Sequence, residues 1–339
     1  MVLLLLLAVG WMEACKKSGA SSNAPHPMTF TIPPGFPQPV YQFKDNPPTE
    51  EGFALGRKLF YDGRLSRDGQ FPCASCHQQF AAFSTFDHDL SHGFNNQFTL
   101  RNAPGLFNLT WMDQLHWDGG IRNLEVQPLA PITAPNEMAE DLDRVLDKLR
   151  ADEKYPSMFA AAFGDPEINS QRMLKAIAQF TGMMVSANAK YDRVKRGETQ
   201  FTEAEEKGYE IFKAKCNSCH KEPLFTDFSY RNTGIPLNPY LKDVGRMRIT
   251  GLSSDSLKFK VPSLRNVQLT APYGHDGRFY AIRSMLDHYS SGVVNAPGTD
   301  PLVRNGIPLD DYDKYYLLQF LYTLTDSAFV KDPRFAAPE

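Results

Sequence analysis

Two copies of one pattern, Cys73-Ala74-Ser75-Cys76-His77 and Cys216-Asn217-Ser218-Cys219-His220, constrain this chain more than any other feature. A C-x-x-C-H run is the attachment signature of c-type haem: two thiols add to the vinyl groups and the adjoining histidine becomes the proximal iron ligand. Redox disulfides and zinc sites are the competing readings, since both also use C-x-x-C pairs. Zinc sites of this kind usually recruit further ligands at a second C-x-x-C or an H-x-x-x-H, and thioredoxin-type motifs are not followed directly by histidine. The doubled motif therefore implies two covalently bound haem c groups, one on Cys73, Cys76 and His77 and the other on Cys216, Cys219 and His220.

These motifs use four of the five cysteines. The fifth, Cys15, follows the apolar run Val2 to Trp11, which is too short to span a bilayer and reads as a signal-peptide core. Met12-Glu13-Ala14-Cys15 is an imperfect lipobox, and basic residues are missing before the apolar run. Acylation of Cys15 and anchoring at a membrane surface is the leading expectation, with simple secretion as the alternative. Both place the protein in the periplasm or cell envelope, where c-type haem is attached. Residues 1–15 are thus read as a signal or lipoprotein segment. Residues 16–45, rich in Ser, Gly, Asn and Pro, read as a flexible tether.

A length of 339 residues leaves room for two domains, and 25 Pro with 23 Gly imply a large share of loop. The net charge of −3 gives no electrostatic case for nucleic acid. The organisation is an internal duplication: residues 50–60 (EEGFALGRKLF) resemble residues 205–212 (EEKGYEIF), and each leads into a C-x-x-C-H. Thr202 and Glu205 form a capping box ahead of the second copy. Helical periodicity recurs at Leu142 to Leu149, Met173 to Val194 and Tyr312 to Leu324, and no stretch alternates as a strand. The expected fold is mainly α: two cytochrome c-like helical domains, 46–196 and 197–339, each with one covalent haem, hinged near Lys195-Arg196-Gly197-Glu198.

From about Pro47 to Asp326 the chain resembles the bacterial diheme cytochrome c peroxidase family, which includes MauG-type enzymes. The resemblance rests on the two haem motifs, Arg101-Asn102-Ala103-Pro104, Trp117-Asp118-Gly119, Pro135-Asn136-Glu137-Met138, Leu264-Arg265-Asn266-Val267 and the segment Thr270 to Gly277. It implies that hydrogen peroxide reacts at the His77 haem and that the His220 haem receives electrons. Glu137 then matches the distal acid/base. Gln127 matches a hydrogen-bonding group of the same pocket and Pro131 a steric wall, although Pro128 and Pro131 can equally be plain loop prolines. Trp117 matches the ring between the two irons; Trp111 lies nearby without that motif. Gly120 stands where an arginine often follows Asp-Gly, with Arg122 as the candidate replacement. The resemblance further implies a calcium ion held by the Asn102 side chain and the carbonyls of Thr270 and Pro272.

The distal ligand of the second haem departs from the ordinary peroxidase pattern. The spacing from His275 that would reach a methionine arrives instead at Tyr289, as in the MauG-type branch, with Met285 and His288 as alternatives if the register slips. His92, or else His88, is the candidate distal ligand of the first haem. The implied activity is cytochrome c peroxidase, with a small cytochrome c or cupredoxin as electron donor. Two alternatives stay open: a MauG-like oxidase acting on a protein or other substrate, and a non-catalytic diheme electron carrier. A homodimer is compatible with the resemblance.

Overall fold

The computed structural model describes residues 24–338. The expected signal or lipoprotein segment, with Cys15, lies outside the described residues. Among those described, no helix is long and apolar enough to cross a membrane.

The chain is mainly helical, and its two halves repeat one packing unit. In the first half, the Glu50–Phe60 helix is capped by the Thr49 side chain, which accepts from the Gly52 N–H, and carries Glu50 and Glu51 in its first turn with Arg57 and Lys58 in its last. Those charges complement the helix dipole. It crosses the Ser170–Gly182 helix at Gly56, where an added β-carbon would stand 1.9 Å from the Ala176 carbonyl oxygen. In the second half, the Glu203–Lys215 helix is capped reciprocally by Thr202 and Glu205. It crosses the Asp311–Tyr322 helix at Gly208, where a β-carbon would stand 2.0 Å from the Tyr316 carbonyl oxygen. One turn beyond each glycine a buried phenylalanine meets another across the crossing: Phe60 with Phe180 at 5.3 Å, and Phe212 with Phe320 at 5.0 Å between ring centroids. The duplication legible at residues 50–60 and 205–212 thus extends to a second helix in each half.

The Leu142–Arg150 and Tyr155–Phe163 helices add to the first half, burying Val145, Leu149 and Phe159 against Leu55 and Leu59. The periodic stretch expected from Met173 to Val194 is two helices, Ser170–Gly182 and Lys190–Lys195. Between them Ser186 is held by Asn108 and Asp326, so that its polar groups are satisfied by tertiary partners rather than by a helical turn. Among the described residues the only sheet is an antiparallel pair of two-residue strands, Tyr230–Arg231 and Phe259–Lys260.

Two expectations about segment boundaries change. Residues 24–45 of the expected tether are packed: Phe36 meets Trp111 edge-on at 5.1 Å and Phe30 meets it tilted at 5.7 Å, the Trp111 indole donates to the Pro37 carbonyl, and Phe43 is buried. Four aromatic residues, Phe30, Phe36, Tyr41 and Phe43, supply the apolar surface that a Pro-rich segment otherwise lacks. The last residues of the expected second domain return to the first. Phe329 and Phe335 enter the cluster of Phe53, Phe83 and Phe180, and Arg57 and Tyr61 donate to the carbonyls of Ala336 and Phe335. Asp326 marks the crossing, accepting from Ser186 and from the Asn188 N–H.

The two halves are joined by buried polar contacts. Arg265 is fully buried and forms a bidentate pair with Asp192 at 2.8 and 2.9 Å, while the Asn266 amide donates to Ser186.

Candidate active site

Each histidine of the two motifs is oriented by backbone carbonyls. His77 closes the short helix Cys73–Cys76, and its Nδ1 lies 2.7 Å from the Phe83 carbonyl oxygen. The Nδ1 of His220 lies 3.1 Å from the carbonyls of both Phe225 and Pro262. Donation from Nδ1–H leaves Nε2 as the free lone pair, the arrangement a metal-binding imidazole needs. Burial lowers both imidazole pKa values, that of His77 to about 4, which keeps the ligand form neutral. Ala82 and Phe83 adopt positive φ, the tight turn that brings the Phe83 carbonyl back over His77.

Cys73, Cys76 and His77 line a cavity. Gln127, Pro128, Pro131, Glu137 and His92 line the same cavity, with Phe60, Leu106 and Ile177 among its apolar walls. None of the four motif cysteines is in a disulfide. Among the described residues no group of three or more His, Cys, Asp and Glu side chains is gathered as a metal cluster. Paired thiols, an imidazole with a free Nε2 and an apolar cavity beside them fit a covalently held haem. The structure therefore brings Cys73, Cys76, His77, Gln127, Pro131 and Glu137 together.

The carboxyl group of Glu137 has no hydrogen-bond partner among the described residues, and burial raises its pKa above the usual carboxylate range. Its backbone is pinned to the loop that carries His92: the Phe94 N–H donates to the Glu137 carbonyl and the Asn136 amide to the Phe98 carbonyl. Gly93 is required there, since a β-carbon would stand 2.3 Å from the Asn136 carbonyl oxygen. His92 is half-buried with its Nδ1 2.7 Å from Asn96 Oδ1, whereas His88 is exposed. The Gln127 amide lies 3.3 Å from Nε2 of His116, a neighbour that motif reading passed over.

Trp117 links the halves. Its indole donates to the Asn102 carbonyl at 2.9 Å, and its own carbonyl accepts from the Lys260 N–H at 2.7 Å. Trp111, by contrast, is buried under the N-terminal strap. Arg122 is exposed and does not replace the arginine missing at Gly120. Ile249 from the other half lies against Gly120, and Arg246 packs beside Gly119, donating to Gln114 and to the Asp118 carbonyl. Arg101 bridges Asp118 at 2.6 Å and Asp243 at 2.5 Å, an interdomain ion triad that sequence reading missed because Asp243 stands in no recognisable motif.

Asn102 lies beside the Thr270 to Gly277 segment, its backbone N–H donating to the His275 carbonyl. The Asn102 amide nitrogen donates to Asp89, leaving Oδ1 unspent, and the Thr270 and Pro272 carbonyls accept no hydrogen bond among the described residues. In the second half, Tyr289 sits in a π-helical turn, His288–Gly292, that continues the Ile282–Asp287 helix. Burial raises its phenol pKa, with the Cys216 and Cys219 thiols raising it further. His288 is turned away, its Nε2 donating to the Thr233 carbonyl at 3.0 Å.

Comparison with known proteins agrees with this arrangement. The profile of the di-haem cytochrome c peroxidase family matches residues 50–200. The chain is 33% identical over 315 residues to the methylamine utilization protein MauG of Methylophilus methylotrophus, covering 91% of each. It is 34% identical over 245 residues to cytochrome c551 peroxidase of Nitrosomonas europaea, covering 71% of this chain and 73% of that one. The crystal structure of a MauG-like protein associated with microbial copper homeostasis superposes with a TM-score of 0.85 at 34% identity, over 92% of this chain and 99% of the other. At these identities and coverages, the chain belongs to the di-haem cytochrome c peroxidase family.

Proposed function

We propose that this protein is a periplasmic or envelope di-haem peroxidase that reduces hydrogen peroxide to water in the His77 compartment, drawing electrons from a small cytochrome c or cupredoxin. The observation that carries this reading is the unpartnered, half-buried carboxyl of Glu137 in one cavity with Cys73, Cys76 and His77. Haem bound through those three residues supplies the iron and the electrons for cleaving the O–O bond. Glu137 takes a proton from one peroxide oxygen and returns it to the other, so that the leaving oxygen departs as water. Gln127 orients the peroxide by hydrogen bonding, Pro131 narrows the space above it, and the apolar walls exclude bulk water. Trp117 supports passage of electrons between compartments by spanning them. The unspent oxygens of Asn102, Thr270 and Pro272 suit a hard cation, and calcium there would brace the same joint. Cys15 is the proposed lipid anchor.

A MauG-like oxidase is the second reading, carried by Tyr289: a phenolate favours ferric iron and so opposes easy acceptance of electrons from a carrier. Steady-state oxidation of reduced cytochrome c by hydrogen peroxide tests the first reading. Turnover that disappears in Glu137→Gln supports it; rapid reaction with peroxide but no cytochrome c turnover supports the second. A protein indifferent to peroxide would be a carrier only.

A further inference from the structure

We propose that Lys260 is the cation that binds a haem propionate at the joint between the two compartments, an inference that rests on the di-haem reading. Lys260 ends the short strand Phe259–Lys260, two residues before Pro262, whose carbonyl orients His220. Its backbone N–H is bonded to the Trp117 carbonyl. The residue therefore stands between Trp117 and the second motif.

Lys260 is only 9% exposed. Nζ donates to the Gln114 carbonyl at 2.7 Å and otherwise meets only the Met112 sulfur at 3.9 Å. An ammonium has three N–H donors, and one carbonyl neither satisfies them nor balances the charge. The nearest acidic groups, Asp113 and Asp118, attract it without forming an ion pair, because Asp113 is exposed and Asp118 is held by Arg101. Arg101 and His116 lie close by and add no negative charge. Burial lowers the Lys260 pKa only to about 8, so the group is still charged at neutral pH.

The other basic groups around Trp117 are already committed. Arg101 is paired with two carboxylates and Arg246 with Asp255 at 4.0 Å, besides its bonds to Gln114 and the Asp118 carbonyl, while Arg122 is exposed. Among the described residues, Lys260 is the buried cation of this group left without an anion. Haem brings anions of its own, two propionate carboxylates per ring, and a buried ammonium beside Trp117 matches one of them in charge and in hydrogen-bonding capacity. Either haem can supply it, and the haem whose potential responds identifies the source.

The test uses the full holoprotein, with haem content measured by pyridine haemochrome and each haem titrated by spectroelectrochemistry from acid to alkaline pH. Lys260→Met, still carrying two haems, should lower one midpoint potential, because an unpaired propionate favours the ferric state. That potential should also become pH-dependent near neutrality, as the propionate takes up a proton on reduction. Lys260→Arg should stay near the unaltered protein. Unchanged potentials and pH dependence in a two-haem Lys260→Met protein overturn the proposal, whereas an unaltered protein without two haems overturns the di-haem reading instead. A second measurement does not depend on Lys260→Met folding. In the unaltered holoprotein the lysine ammonium signal absent from Lys260→Arg should exchange slowly and shift when the haems are oxidised; fast exchange without a shift overturns the proposal.

Discussion

The Trp117 indole nitrogen lies 2.9 Å from the Asn102 carbonyl oxygen, so the ring between the two compartments is tied to the residue proposed to hold calcium. Phenylalanine at position 117 would keep an aromatic ring and lose this bond. Trp117→Phe should cost about 0.5–1.5 kcal/mol of stability, the net worth of one hydrogen bond. It should also slow electron passage between the haems while leaving each haem spectrum normal. Stopped-flow reduction of the peroxide-oxidised protein checks this, and an unaltered inter-haem rate would reduce Trp117 to a packing residue.

Glu137→Gln should still bind two haems and lose about 10²- to 10⁴-fold in peroxide turnover, the usual share of a positioned proton-transfer group. The pH dependence has a definite sign. Burial holds the Glu137 carboxyl protonated to higher pH than an ordinary glutamate, and the first step needs the carboxylate as base. Peroxide reactivity should therefore rise with pH through an interval above the usual carboxylate range. Glutamine at this position should flatten that limb; a limb that persists assigns it to another group.

Tyr289 decides between the two enzymatic readings. Tyr289→Phe should open or re-ligate the second haem and raise its potential, since an anionic donor to ferric iron is lost. Met285→Leu should change little. A sulfur-to-iron absorption band that vanishes in Met285→Leu, with Tyr289→Phe silent, would restore an ordinary peroxidase.

Gly208→Ala should destabilise the second half by about 1–3 kcal/mol, because its β-carbon would meet the Tyr316 carbonyl at 2.0 Å and the two helices would have to separate. Gly56→Ala should do the same in the first half, at 1.9 Å from the Ala176 carbonyl. Thermal melts followed by circular dichroism read both. Alanine tolerated at full stability would mean that the crossings carry no tight constraint.

Local chemistry made much of this protein legible before any coordinates. The attachment motifs, the cap at Thr202, the helical period from Leu142 and the likeness of residues 50–60 to 205–212 are short-range patterns, and helices built on short-range hydrogen bonds follow them closely. The cavity residues were found only through the resemblance, since Glu137, Gln127 and Pro131 stand in loops whose own sequence has no period. Long-range relations were invisible. The N-terminal strap looked like a tether because Pro-rich composition hides four aromatic anchors, and the return of Phe329 and Phe335 to the first half leaves no local signal. The Arg101, Asp118 and Asp243 triad, the contact of His116 with Gln127 and the unmatched charge on Lys260 likewise join residues far apart in the chain. What the sequence by itself determined is where the two C-x-x-C-H motifs stand and which segments coil. Which charges are buried together, and which one is left needing an anion, only the tertiary structure decided, because burial and electrostatic pairing depend on neighbours that packing brings near.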